Sequence, residues 1–248
     1  ATSKGIDMAS FPTITKIEIQ QVSTVMKDIG NPPGQVSATY IPGAERNIRF
    51  YMTRMFTDAG IVGEYAVNSD ISNVAEFLIG RNALEREFFY NEMTRYPGNV
   101  FGSVDLLLWD IAGKYSGQSV SQLLGGYRKR LPTYASSMNG GVSGGLSTPE
   151  SFADFAQQCQ EIGYNAFKIH PYPRPKLQDH IDAILAIRDR VGDDMDLMLD
   201  SFCFYRTFAD ALKVGRACDE ANYYWYEDPY FEGGSAEDYP LVLGSNSF

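Results

Sequence analysis

Cysteine is scarce in this chain. Its 248 residues hold three, Cys159, Cys203 and Cys218, an odd number with no CxxC or other ligand-like spacing. That pattern suits free thiols in a reducing compartment better than a disulfide framework. Positive charge is also short: 21 Lys and Arg stand against 31 Asp and Glu, for a net charge of -10. No basic run offers a stripe that could track phosphates, so nucleic acid is not an expected partner. Long apolar runs are missing, as is any charged segment followed by an apolar one in ATSKGIDMASF. Neither a membrane span nor an export signal is read, and a cytoplasmic location is the expectation. The phosphate-loop spacings GxGxxG and GxxxxGK[ST] are absent as well. The stretch Asn139-Gly140-Gly141-Val142-Ser143-Gly144-Gly145 thus reads as a flexible loop, and a Rossmann-type dehydrogenase ranks low. What the chain does have is apolar content, 44% hydrophobic and 13% aromatic, enough for one large domain or two unequal ones.

The first 130 residues predict a few antiparallel strands followed by helices, an α+β module. Thr13 to Val22 alternates, with Ile17 and Ile19 on one side and Lys16, Glu18 and Gln20 on the other, the period of a half-buried strand. The next twenty or so residues gather Gly30, Pro32, Pro33, Gly34, Pro42 and Gly43, which reads as a long irregular loop that either covers something or is mobile. Ile48, Phe50 and Met52 alternate, Asp58-Ala59-Gly60 interrupts, and Ile61 to Val67 resumes. A helix over Ile48, Tyr51, Met52 and Met55 also fits that periodicity, but the turn tripeptide favours a hairpin. Helices are expected over 71–96 and 104–124, the second closed by Gly125-Gly126.

After Arg130 the pattern changes to alternating strand and helix, the order that builds a parallel sheet with helices outside it. Strands are expected at 131–138, 166–170, 196–200 and 223–226. The helices between them are marked by the cap and first-turn pair Thr148-Pro149, by Ile181, Ile184, Leu185 and Val191, and by Phe208, Ala211, Leu212 and Cys218. The repeat of about thirty residues is that of a βα barrel. The fold class is thus an α+β capping domain, residues 1–130, followed by a partial β/α TIM-type barrel, residues 131–248.

Reactive groups in such a barrel stand at the C-terminal strand ends, where the loops share one mouth. Those ends carry Lys168 and His170, then Asp200, then Glu227 with Asp228. Two carboxylates delivered to one mouth repel each other unless a cation lies between, and a hard divalent ion with oxygen ligands, Mg²⁺, is the simplest candidate. Lys168 and His170 lie two residues apart on one strand, so both side chains face the same way. An amine beside an imidazole predicts mutual pKa depression and a base near neutral pH. A single acid at a strand end is ordinarily a solvated loop residue or a helix cap. Asp228 before Pro229 reads as a turn residue, and His180, in a helix face of charges, as exposed. What lifts the other residues above that reading is their occurrence on three consecutive strands, all at the same end.

Lys168-x-His170, Asp200 and Glu227-Asp228-Pro229, separated by 30 and 27 residues, resemble the strand ends of the enolase superfamily, and within it the mandelate racemase and muconate lactonizing enzyme branch. The stretch from Asp105 to Lys114, running on to Leu123-Leu124-Gly125-Gly126, is similar to the long helix that ends that branch's capping domain. The resemblance implies a small-molecule carboxylate substrate held on Mg²⁺, loss of the proton on the adjacent carbon, and an enediolate stabilised by the metal. It implies Asp200 and Glu227 as metal ligands, Lys168 either beside the substrate carboxylate or tuning its neighbour, and His170 where the family's base on that strand stands. It further implies that the segment from Gly30 to Gly43 closes over the substrate, and that the protein is a homo-oligomer; neither a membrane nor a nucleic acid is expected as partner from the composition. The expected activity is that of a carbon–oxygen lyase dehydrating an acid sugar of aldonate type. A racemase or epimerase of a 2-hydroxy acid and a non-catalytic barrel acting as a binding protein are the alternatives.

The chain departs from the family pattern in three places. His170 stands where Lys is common, which bears on the identity and face of the base. Phe202 stands where Asn is common, which removes a polar contact near the metal. A third carboxylate ligand is expected near position 253, beyond Phe248. With about 118 residues after Arg130 against roughly 200 or more for a complete barrel, the chain reads as a barrel's first half, expected to lack turnover by itself.

Overall fold

A computed structural model describes residues 11–30, 39–95, 100–141, 145–171 and 176–229. The chain divides into two compact units, one of Ala1–Val25 and Asn47–Arg130, the other of Met26–Arg46 and Leu131–Phe248. Strands β1 (Ile14–Gly30), β2 (Thr39–Thr57) and β3 (Val62–Val67) form a sheet in that order. β2 and β3 are antiparallel, with Phe56 opposite Val62, so the turn at Asp58-Ala59-Gly60 does make a hairpin. The irregular loop is shorter than the sequence reading. Residues 23–30 and 39–43 are strand, because pairing supplies ladder partners to their backbone and the Asp28 carboxylate accepts the Gly43 N–H at 2.9 Å. Residues 31–38 lie outside the described residues.

The helix expected over 71–96 is broken into a 3-10 turn (Ser72–Val74), α1 (Ala75–Leu78) and α2 (Arg86–Met93). Between α1 and α2 the backbone turns back to the start of β1. Ile14 N–H donates to the Arg81 carbonyl, and Gly80 and Ala83 N–H donate to Ile14 and Pro12, all at 2.8–2.9 Å. Gly80, at φ +82°, makes that turn. The second helix is split likewise. α3 (Val100–Ser116) ends before Gly117, at φ +65°, and α4 (Val120–Leu123) restarts on a capping box between Ser119 and Gln122.

The first unit's core joins Ile14 and Met55 of the sheet to Leu78, Phe89, Val104, Leu107, Leu108 and Ile111. β3 lies close on α3 only because Gly63 has no side chain. A Cβ there would stand 2.6 Å from the Leu107 carbonyl oxygen and 2.7 Å from Ile111 Cγ1. Gly63→Ala is therefore expected to destabilise the chain by about 1–3 kcal/mol, read as a lowered urea midpoint; an unchanged midpoint would refute this account of the contact.

In the second unit β4 (Ala135–Ser136), β5 (Ala166–Ile169), β6 (Asp196–Asp200) and β7 (Trp225–Glu227) form a sheet in chain order, every neighbouring pair parallel. β4 is shorter than the expected 131–138. α5 (Pro149–Glu161), α6 (Leu177–Val191) and α7 (Phe208–Glu220) connect the strands. α5 starts on a Thr148–Ser151 capping box with Pro149 in its first turn, and α6 stops at Gly192, at φ +71°. Phe167, Ile169, Leu197 and Leu199 pack with Phe152, Ala156, Ile184, Ile187 and Val214 of the helices. Alternation along each strand then turns Lys168, Met198 and Asp200 to the other face.

Candidate active site

β5, β6 and β7 are in parallel register, with Lys168 opposite Met198 and Asp200 opposite Glu227. This register sets the four expected side chains at one edge of one sheet face, and they meet. Lys168 Nζ lies 3.3 Å from Asp200 Oδ2 and 2.9 Å from Glu227 Oε2. His170 Nε2 lies 3.0 Å from the same Asp200 oxygen. Lys168 and Asp200 are buried. The other Asp200 oxygen accepts the Phe202 N–H at 3.0 Å, so the residue standing where Asn is common still contributes a donor through its backbone. Trp225 donates its indole N–H to Glu227 Oε2 at 3.2 Å. The Lys168 ammonium sits 5.4 Å from the centre of the Tyr134 ring.

The electrostatics differ from the sequence reading at Lys168. Burial by itself would lower its pKa, but the hydrogen bond to Glu227 and the charges of Asp200 and Glu227 outweigh burial and raise it. The expected depression of Lys168 by His170 is overturned because two carboxylates lie 2.9 and 3.3 Å from the amine. Lys168 is thus a fixed cation. At Asp200 burial pushes the pKa up, yet the hydrogen bond and charge of His170, the Phe202 N–H and Lys168 bring it below the ordinary range.

Asp228 is not merely a turn residue. Its carboxylate joins those of Asp200 and Glu227, with one oxygen from each within 4.8 Å of the others. Its pKa is raised, first by burial and then by the two neighbouring acids. The signal for it was its adjacency to Glu227, but strand alternation would have turned it away. A backbone at φ +44° brings it round, secured by bonds to its carbonyl from Cys203 N–H at 2.8 Å and Ser201 Oγ at 2.7 Å. Three carboxylates gathered this closely are the kind of oxygen donor set that a hard divalent cation takes.

His180 is fully buried rather than exposed, with Nδ1 hydrogen-bonded to the Tyr205 hydroxyl. It lies on the face of α6 turned to the second unit's core. Of the glycine-rich stretch, Asn139 bridges Thr39, and Gly145 N–H donates to Tyr40 at 3.2 Å; residues 142–144 lie outside the described residues. The three cysteines are free. Burial, then Asp228 and Asp200, push the Cys203 thiol up to about 11, which rules it out as a thiolate nucleophile at neutral pH.

Residues 151–241 match the family described as Enolase C-terminal domain-like. D-glucarate dehydratase from Agrobacterium tumefaciens, crystallised with magnesium, is 30% identical with a TM-score of 0.76, over 89% of this chain and 62% of that one. The D-gluconate/D-galactonate dehydratase of Picrophilus torridus is 31% identical over 163 residues, 62% of this chain and 40% of the relative. The N-succinyl-L-Arg/Lys racemase of Bacillus cereus is 26% identical over 210 residues, 75% of this chain and 53% of the relative. The chain thus spans between 40% and 62% of the length of these relatives. The segment that places Lys168, His170, Asp200 and Glu227 at the ends of parallel strands is thus the one that matches the Enolase C-terminal domain-like family.

Proposed function

We propose that this chain carries the metal-binding and proton-transfer half of a Mg²⁺-dependent lyase that removes water from an acid sugar of aldonate type. The observation that carries the reading is the meeting of Lys168, His170, Asp200 and Glu227 from three adjacent strands. Asp200 and Glu227 hold the ion, with Asp228 as an additional ligand. A bound Mg²⁺ supplies positive charge where negative charge builds on the substrate's carboxylate as the adjacent C–H bond breaks. Lys168, kept cationic, binds and orients that carboxylate. His170 exchanges a proton through Nε2, either taking it from the substrate carbon or giving it to the departing hydroxyl. Similar proteins named as D-gluconate, arabinonate and D-xylonate dehydratases, at 25–29% identity, favour dehydration. The racemase among the relatives keeps epimerisation as the second reading. Cytoplasmic location, resting on the free thiols, and homo-oligomeric assembly belong to this proposal.

The test is incubation of the whole protein with Mg²⁺ and a panel of acid sugars in D₂O. Mg²⁺-dependent formation of a 2-keto-3-deoxy acid is expected. Deuterium exchange at the carbon beside the carboxylate without loss of water would move the assignment to racemisation. Calorimetry that detects no Mg²⁺ binding would leave only a non-catalytic scaffold.

A further inference from the structure

Backbone strain in this chain is concentrated beside the carboxylates. Among the described residues five that are not glycine have positive φ, and three of them, Phe202 at +53°, Cys203 at +58° and Asp228 at +44°, stand where the ends of β6 and β7 meet. A Cβ disfavours that conformation, so it persists only where surrounding bonds over-determine it. Ser201 supplies several of those bonds. It is completely buried, and its N–H donates to the Glu227 carbonyl at 3.1 Å. Its hydroxyl lies 2.7 Å from the Asp228 carbonyl oxygen and 3.2 Å from that of Glu227. A hydroxyl has one proton to give, and the shorter contact assigns it to Asp228. The Cys203 N–H, at 2.8 Å, occupies the other lone pair of the same oxygen. Ser201 thus grips main-chain atoms, and its effect on the carboxylates of Glu227 and Asp228 passes through the backbone.

We propose that Ser201 is a positioning residue that holds Asp228 in its left-handed turn and so keeps a third carboxylate facing those of Asp200 and Glu227. Without the hydroxyl, the Asp228 carbonyl keeps only the Cys203 N–H. The backbone can then relax toward the extended form, in which strand alternation turns Asp228 to the face opposite Glu227. Partners that orient metal-binding groups in this way change metal affinity by about 10–100-fold. The inference rests on the proposed Mg²⁺ site, and it concerns how that site is assembled.

The test is calorimetry of Mg²⁺ binding to the whole protein. Ser201→Ala is expected to weaken binding by about tenfold or more, and Ser201→Thr, which keeps the hydroxyl, to restore it. In an Asp228→Asn background Asp200 and Glu227 still hold the ion, though less tightly. There the same alanine substitution should change affinity by less than about twofold, because the carboxylate through which Ser201 acts is gone. An equal loss in both backgrounds would make Ser201 a general support of the fold and overturn the proposal, as would a Ser201→Ala variant that binds like its parent. Should the alanine variant not fold, Ser201→Cys, close in size and a much weaker donor, takes its place in the same cycle. Position 228 gives an independent reading without the ion. Asp228→Gly is expected to keep a higher urea midpoint than Asp228→Ala, since glycine takes φ +44° without strain; the reverse order would mean that no left-handed turn is held there. A parent that binds no Mg²⁺ sinks the metal reading itself, whereas clear binding that ignores Ser201 sinks this inference alone.

Discussion

Asp200→Asn is expected to weaken Mg²⁺ binding by at least about 10²-fold and to lower any Mg²⁺-dependent turnover by roughly 10³-fold. The carboxylate is a shared element of the site. One oxygen faces both Lys168 and His170, and the other takes the Phe202 N–H. An amide of the same shape removes the negative charge and turns an N–H₂ toward groups that themselves donate. The pH dependence of stability follows from the same geometry. Because the folded-state pKa of Asp200 lies below its ordinary value, the ionised form contributes stability that is present above about pH 4 and is lost as the pH falls through the lower, folded value. Asp200→Asn should therefore weaken this part of the acid limb of the stability profile. Isothermal calorimetry with Mg²⁺ and acid unfolding followed by circular dichroism check both effects. A variant that bound the ion as tightly as its parent would remove Asp200 from the site.

Lys168→Met should leave Asp200, Glu227 and Asp228 facing one another without the cation that now lies between two of them. Removing one partner of a buried ion pair costs about 3–5 kcal/mol. The Lys168 side chain is 9% exposed but that of Glu227 is 39% exposed, so solvent screening reduces the expected loss to about 2–3 kcal/mol at neutral pH. The folded pKa of Lys168 is raised. Its contribution is accordingly complete below the ordinary lysine value and declines only as the pH climbs through the still higher folded value. Together with Asp200, this gives a window of full contribution from about pH 4 to about pH 10, outside which parent and variant should converge. Added Mg²⁺ should restore more stability to the variant than to the parent, since the ion then supplies the missing positive charge. Thermal unfolding across that range, with and without Mg²⁺, reads the effect. An equal loss at every pH would assign Lys168 a packing role instead.

The barrel-like unit was the more legible part. Thr148-Pro149, the stop at Gly192 and the alternation of MDLMLD each act over a few residues, and α5, α6 and β6 begin or end where those signals stand. The first unit was less legible because its breaks come from distant pairing. Within 71–96 Gly80 permits the chain to leave the helix after Leu78, but a lone glycine does not require it. That departure is held by hydrogen bonds to Pro12 and Ile14, more than sixty residues earlier. Likewise the loop around Gly30 and Gly43 is curtailed because each of its flanks finds a strand partner.

At the site, residue identity and spacing along the chain determined which groups arrive at the strand ends. Lys168 and His170 share a side because a strand has a period of two, and Asp200 and Glu227 end adjacent strands because the βα units repeat. The charge state of Lys168, the burial of His180 and the arrival of Asp228 were decided only by tertiary structure. Each depends on distances of about 3 Å between residues far apart in sequence, or on one unusual backbone angle, and both hydrogen bonding and charge coupling fall away steeply with small displacements. Periodicity can bring a side chain to the right face of a sheet, but the partner it meets there is fixed by register and loop geometry.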